Sequence, residues 1–173
     1  KTHWALWAVC LFSMVLAGFI TNLKELMWVQ YVREQGGLGA QFETAQQFSL
    51  GASAVGVLLW AVLADVWGRK QALLLAWMGV ALACGSVWLL PARFELLRWA
   101  HMMSALALAG IPVVSVVWCW ESSQRLRYGL CGCLLSGFVL GMFVAQMLGY
   151  ADLVAITASY YGLMMGVAGV LVI

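Results

Sequence analysis

Charge is scarce in this sequence. Asp, Glu, Lys and Arg together make up 9% of the residues, against about a quarter in an ordinary soluble domain. Histidine occurs only at His3 and His101, and proline only at Pro91 and Pro112. The formal charge is +2 and no basic stretch occurs, which argues against a nucleic-acid partner. So few polar groups also leave little for chemistry. There is no Gly-x-Ser-x-Gly and no His-x-x-x-His, so neither an activated serine nor a helical metal pair is present. The chain is therefore read as neither an enzyme nor the holder of a metal or cofactor. Polar linkers are missing too, so residues 1–173 read as one domain.

What fills the sequence instead is apolar. Hydrophobic residues are 65% of the chain and the mean hydropathy is +0.95. A water-soluble protein of 173 residues cannot hide that much apolar surface, so the solvent is lipid. Residues 4–23 form too long an apolar run for a signal peptide, and no small-residue cleavage pattern leads into a polar domain. There is no initiator Met, and residues 166–173 still have membrane composition; the expectation is a piece of a longer chain. Cys10, Cys84, Cys119, Cys131 and Cys133 all lie in apolar runs, where thiols serve as small fillers.

Crossing the hydrocarbon core takes roughly 20 helical residues. Helices suit such runs because they satisfy their own backbone polar groups. Six spans are predicted, at residues 4–33, 41–64, 70–90, 94–120, 129–150 and 153–173, separated by short polar punctuation. The expected fold is an all-α membrane protein, a six-transmembrane-helix bundle. The first helix is long enough that it must tilt or project. Lys1, Arg69, Lys70, Arg125 and Arg127 outnumber Asp65 and Glu121 on one side. Glu34, Glu43, Glu95 and Asp152 stand against Arg33, Arg93 and Arg98 on the other. That bias makes the N-terminus cytoplasmic in a multi-pass protein. Trp4, Trp7, Trp67, Trp118 and Trp120 fall at the inner boundary, Trp88 and Trp99 near the outer, and Trp28, Trp60 and Trp77 deeper.

The segment "LADVWGRKQ", residues 63–71, breaks this pattern by placing Asp65, Arg69 and Lys70 together between apolar runs. Cations prefer helix C-termini, yet Arg69 and Lys70 open a helix, so their partners are expected elsewhere. A positive-inside anchor accounts for part of this. The spacing also resembles the loop between the second and third helices of the major facilitator superfamily, Gly-x-Leu-Ala-Asp-Arg-x-Gly-Arg-Lys. Asp65, Gly68, Arg69 and Lys70 stand at matching positions, with Ala61 in place of the leading Gly and Val66 in place of the basic residue. Arg98, Pro112 and "WCWESSQRLR" then resemble that family's helix-four Arg and the Glu…Arg pair after it. Met102 and Ser104 replace the family's glycines, and Arg127 and Arg125 compete for the role of the Arg in that pair. The spacing from "FSLGASAVG" through "LADVWGRK" to "CWESSQRLRYG" is most similar to the organic-ion branch of that family.

The resemblance implies half of a twelve-helix fold, with a C-terminal six-helix half in the same chain. It implies a secondary active or facilitative transporter in a plasma or inner membrane, moving a small organic solute by alternating access, with or without a coupled proton or ion. A sugar or metabolite proton symporter is the alternative, and a non-transporting receptor or assembly protein on the same scaffold is another. Asp65, Gly68, Arg69, Lys70, Glu121 and Arg125 or Arg127 would form a cytoplasmic latch that biases the rocking equilibrium.

Polar groups inside membrane helices are costly and default to functional hypotheses. "TNLKELMW", residues 21–28, puts Asn22 and Glu25 on one face of the first helix and Lys24 and Trp28 on another. These residues either sit near the outer interface, with Lys24 snorkelling, or line a solute path. There Trp28 with Glu25 suits an organic cation and Lys24 an anion. His101, Ser104 and Gln146 are further path candidates. In "GFVLGMFVAQ", residues 137–146, Met142 stands where drug–proton antiporters have a Pro, so Gly137 and Gly141 are read as a close helix contact.

Overall fold

The computed structural model describes residues 2–34, 39–89, 94–122 and 127–150. They form five helices: α1 (Thr2–Glu34), α2 (Gly39–Trp67), α3 (Arg69–Leu89), α4 (Phe94–Ser122) and α5 (Arg127–Tyr150). No strand occurs among the described residues. The sixth expected span, 153–173, lies outside them. In α1, α2, α4 and α5 there are stretches long and apolar enough to cross a membrane. Their outward faces agree with that. Leu58 is 71% exposed and Val139 63%, a cover of bare hydrocarbon that lipid tolerates and water does not. The described residues are all-helical, as suits a membrane protein.

Two boundaries differ from the sequence expectation. Asp65 was expected to end the second helix, but α2 continues through Val66 to Trp67. Glu121 was expected in a loop and instead lies in the last turn of α4. Hydrophobic periodicity marks where lipid ends, not where backbone hydrogen bonding does. Gly68 alone separates α2 from α3, at φ 93°. A residue with a Cβ is strained in that left-handed region, so glycine is what permits so abrupt a return. The Ala72 N–H then donates to the Gly68 carbonyl at 3.1 Å, opening the first turn of α3.

α4 is the hub, packing against each of the other four helices. α1 lies along α5 and α2 along α4, both running parallel, because higher-numbered residues meet higher-numbered ones throughout. Small residues bring these pairs together. A Cβ at Gly141 would run into the Val15 carbonyl oxygen, and one at Gly18 into the Phe138 carbonyl. These are backbone atoms that cannot swing aside. Gly137 faces Leu11 and Val15 in the same seam. With no hydrophobic drive between helices in lipid, such close backbone approach is a main source of association. On the other flank Gly110 makes room for the indole of Trp60, whose Nε1–H donates to the Leu106 carbonyl at 2.9 Å. Ala17, Ile20, Trp60, Ala64, Ala76, Trp77, Val80, Ile111 and Val114 fill the core between the helices.

Tryptophan exposure follows the expected belt in part. Trp4, Trp67, Trp99 and Trp120 are exposed, while Trp28, Trp60 and Trp77 are buried. Trp7, expected at the boundary, is buried with Cys10, Met14, Cys119 and Leu134. The cysteines divide rather than all serving as filler. Cys10, Cys84 and Cys119 are buried, Cys131 is half-buried and Cys133 is exposed, each as a free thiol.

Candidate functional site

Two polar clusters stand at opposite ends of the bundle. The first is built where the turn at Gly68 brings the end of α2 and the start of α3 beside the end of α4. The Arg69 guanidinium donates from Nε to Glu121 Oε2 at 3.0 Å and from Nη2 to Oε1 at 2.7 Å. Its Nη1 makes an ion pair with Asp65 Oδ1, one helical turn earlier. One planar fork thus ties three helix ends together. A bidentate contact of this kind is the strongest form of side-chain ion pair. The bond to Glu121 raises the Arg69 pKa above its already high ordinary value, so the guanidinium stays charged at any working pH. Lys70 is exposed beside it and joins no ion pair with Asp65 or Glu121.

Around the fork lies an open hollow of about 460 Å³, lined by Trp67, Gly68, Arg69, Lys70, Gln71, Trp118, Glu121 and Ser122. Trp118 was placed only as an interfacial residue from the sequence. Its position three residues before Glu121, on the same face of α4, is the signal that puts it here. Of the two arginines expected to partner Glu121, Arg125 lies outside the described residues. Arg127 opens α5, and its side chain is not among those described. The partner that the structure shows for Glu121 is Arg69.

The second cluster lies on α1 and α4. Lys24 is 6% exposed, with its Nζ 3.7 Å from Glu25 Oε1. The same carboxylate oxygen is 3.6 Å from His101 Nε2, and that nitrogen is buried without a hydrogen bond. The Trp28 ring stacks on the His101 ring, centroids 4.9 Å apart and planes 23° from parallel. Ser104 donates its hydroxyl to the His101 carbonyl within its own helix, at 2.8 Å. Arg98, half-buried one turn before His101, has an interaction of its own.

Comparison with protein-family models, with curated proteins and with solved structures finds no match, so the chemistry of the two clusters rests on their own geometry.

That geometry redistributes the sequence candidates. Asn22 and Glu25 were grouped on one face, yet they part company. The Asn22 amide donates to the Met142 carbonyl at 2.6 Å and to Gln146 Oε1 at 3.1 Å, both on α5. Glu25 faces α4. The reason is that α1 seats in the groove between α4 and α5, so positions three apart fall on either side of that seam. Asn22 and Gln146 therefore satisfy each other across helices. Lys24, Glu25, Trp28, His101 and Ser104 form one group. The face of Trp28 that was to receive an organic cation is covered by His101.

Height in the bundle is also set. From His101 to Glu121, α4 rises ~30 Å at about 1.5 Å per residue. That is a full hydrocarbon thickness. The Lys24 cluster therefore lies toward the end of the bundle opposite the Arg69 fork, with Lys24 and His101 buried among helices.

Proposed function

We propose that this chain is the N-terminal six-helix half of a major facilitator-type transporter, moving a small organic solute by alternating access. Its two ends carry separate tasks in this reading. The Arg69 end is cytoplasmic and holds a conformational latch, and the Lys24 end bears the solute path. The observation that carries the reading is the fork. The resemblance implied that Asp65, Arg69 and Glu121 belong to one cluster, though 52 positions separate the latter two, and they meet at hydrogen-bond distance. A topology anchor needs only positive charge near the headgroups. It does not need a bidentate pairing that consumes that charge.

A latch acts by differing between states. Half-exposed ion pairs that are stronger in one conformational state than in the other shift the balance by a modest free energy, enough to change populations severalfold. The test is transport by the full-length protein in vesicles after Asp65→Asn or Arg69→Ala, with insertion and expression measured in parallel. Reduced transport at normal expression is expected. Wild-type rates in both variants would reduce the cluster to a topology anchor.

A further inference from the structure

Where α1, α4 and α5 meet near the Arg69 end, two thiols are buried against each other. Cys10 on α1 is 0% exposed and Cys119 on α4 is 1% exposed, and their side chains are hydrogen-bonded to one another. Trp7, Met14 and Leu134 belong to the same buried cluster, with Trp118 packed against it. Cys131 on α5 is half-buried and within electrostatic range of Cys119, whereas Cys133 is exposed.

A thiol that only fills space needs apolar neighbours and no particular partner. Here two of them are set face to face across two helices. The thiol is a weak donor and a weak acceptor, so the contact adds little stability by itself. What it provides is proximity, at an effective concentration far above that of any thiol in solution.

The apolar surroundings decide what such a pair can become. Two thiolates around a soft monovalent cation would leave a net negative charge among hydrocarbon, which is costly. Among the described residues, no group of three or more His, Cys, Asp or Glu side chains stands close enough to complete a metal site. A disulfide, by contrast, is neutral, and so are the two thiols it replaces. Low polarity selects it.

We propose that Cys10 and Cys119 form a peroxide-responsive dithiol, whose disulfide fastens α1 to α4 at the Arg69 end. The oxidant is a small neutral peroxide, either hydrogen peroxide or an apolar alkyl hydroperoxide. In the first step one sulfur attacks the peroxide. An S–O bond forms, the O–O bond breaks, and the thiol proton leaves with the other oxygen as an alcohol or as water. In the second step the neighbouring sulfur attacks the sulfenic acid. The S–S bond forms, the S–O bond breaks, and the hydroxyl departs with the second thiol proton as water. The pair loses two electrons and the peroxide gains them.

The first step is slow, because enclosed thiols meet the oxidant only when the helices briefly part. The second is fast, because the partner is already in contact. Little sulfenic acid therefore persists to be oxidised further. Charged, bulky glutathione is kept out by the same packing, so the closed disulfide resists reduction from the aqueous phase.

The mechanical effect follows from position. Cys119 precedes Glu121 by two residues, ~3 Å along α4. The fork joins the ends of α2, α3 and α4 there, and the disulfide adds α1 to them. It closes a loop of roughly 110 residues, and long loops lose most entropy in the unfolded chain. The rival pairing is Cys119 with Cys131, but the hydrogen bond of Cys119 goes to Cys10. None of this depends on whether the chain carries a solute.

The experiment uses the full-length protein in lipid nanodiscs, treated with tert-butyl hydroperoxide. Free thiols are then blocked with N-ethylmaleimide in denaturant, and the unreduced digest is read by mass spectrometry. A disulfide joining the Cys10 and Cys119 peptides is expected as the main product, with Cys131 and Cys133 recovered as maleimide adducts. Glutathione disulfide at the same concentration should give at least ~tenfold less of it, for want of access. Cys133→Ser should leave the yield unchanged, while Cys10→Ser should leave Cys119 outside any disulfide. Oxidised wild type should unfold at a midpoint about 5 °C or more above the reduced form, a gain absent in Cys10→Ser. A Cys119–Cys131 product, a crosslink between two molecules, sulfinic acid at either thiol as the main product, or both thiols recovered free would each overturn the inference. A disulfide with no gain in midpoint would show that it fastens nothing, and would overturn it too.

Discussion

The Arg69 fork allows a quantitative test that needs no solute. Arg69 makes two hydrogen bonds to Glu121, and its side chain is only 19% exposed against 49% for Glu121. Its contact with Asp65 is a single pair, and the Asp65 side chain is 67% exposed. Exposed ion pairs contribute roughly 0.2–1 kcal/mol, with well-aligned bidentate pairs at the upper end. The expected coupling energies are therefore about 1 kcal/mol for Arg69 with Glu121 and about 0.3 kcal/mol for Arg69 with Asp65. Double-mutant cycles combining Arg69→Gln with Glu121→Gln, and Arg69→Gln with Asp65→Asn, measure these terms by reversible unfolding in mixed micelles. Raising ionic strength from about 0.15 M to about 1 M shortens the screening length from roughly 8 Å to roughly 3 Å. It should weaken the Asp65 term more than the Glu121 term, since the latter is less open to solvent. Equal couplings, or a larger one for Asp65, would refute the assignment of Glu121 as the main partner.

Other consequences follow from the same geometry. Gly141→Leu forces a side chain against the α1 backbone and should destabilise the protein by about 1–3 kcal/mol or more. Gly132→Ala, at an exposed position with open space around it, should be neutral or slightly stabilising; comparable losses of unfolding midpoint in both would contradict the glycine seam. Gly68→Ala should cost about 1–2 kcal/mol because its φ is left-handed, while Gly68→Asn, which tolerates that region, should lose less in the same thermal assay. In a Cys-free background, a cysteine placed at position 37 should react with an impermeant maleimide only from outside the cell. Reaction only from the cytoplasmic side would invert the proposed orientation.

Much of the helical layout was legible because apolar runs of membrane length leave few other structures. Five of the expected spans coincide with α1 to α5 apart from their ends. The ends shifted because Asp65 and Glu121 are polar yet helical, held there by Arg69, and hydropathy does not register a tertiary ion pair. The fork was half legible. The family resemblance grouped Asp65, Arg69 and Glu121 with Arg125 or Arg127 in one cluster, but it did not say which arginine would bond Glu121 directly. The Lys24 cluster was legible as a set of polar residues and illegible as an arrangement. Whether Glu25 turns to α4 or α5 depends on how α1 seats between them, and Gly18, Gly137 and Gly141 set that seat. Gly137 and Gly141 read as packing residues from the sequence and Gly18 did not, but the depth of contact that the three permit fixes the angular position of every other side chain on α1. The Trp28–His101 stack joins two helices and leaves no periodic trace in either.

The account's central claim is alternating access, and labelling at position 25 tests it most directly without a known solute. Glu25→Cys in the Cys-free full-length protein is exposed to an impermeant methanethiosulfonate in right-side-out and inside-out vesicles. If α1 lines a path that opens to each side in turn, the thiol reacts from both sides. Arg69→Gln, which unties the proposed cytoplasmic latch, should raise the inward rate several-fold and lower the outward one. Reaction from one side only, at rates indifferent to Arg69, would show a static helix end near one interface and contradict the claim.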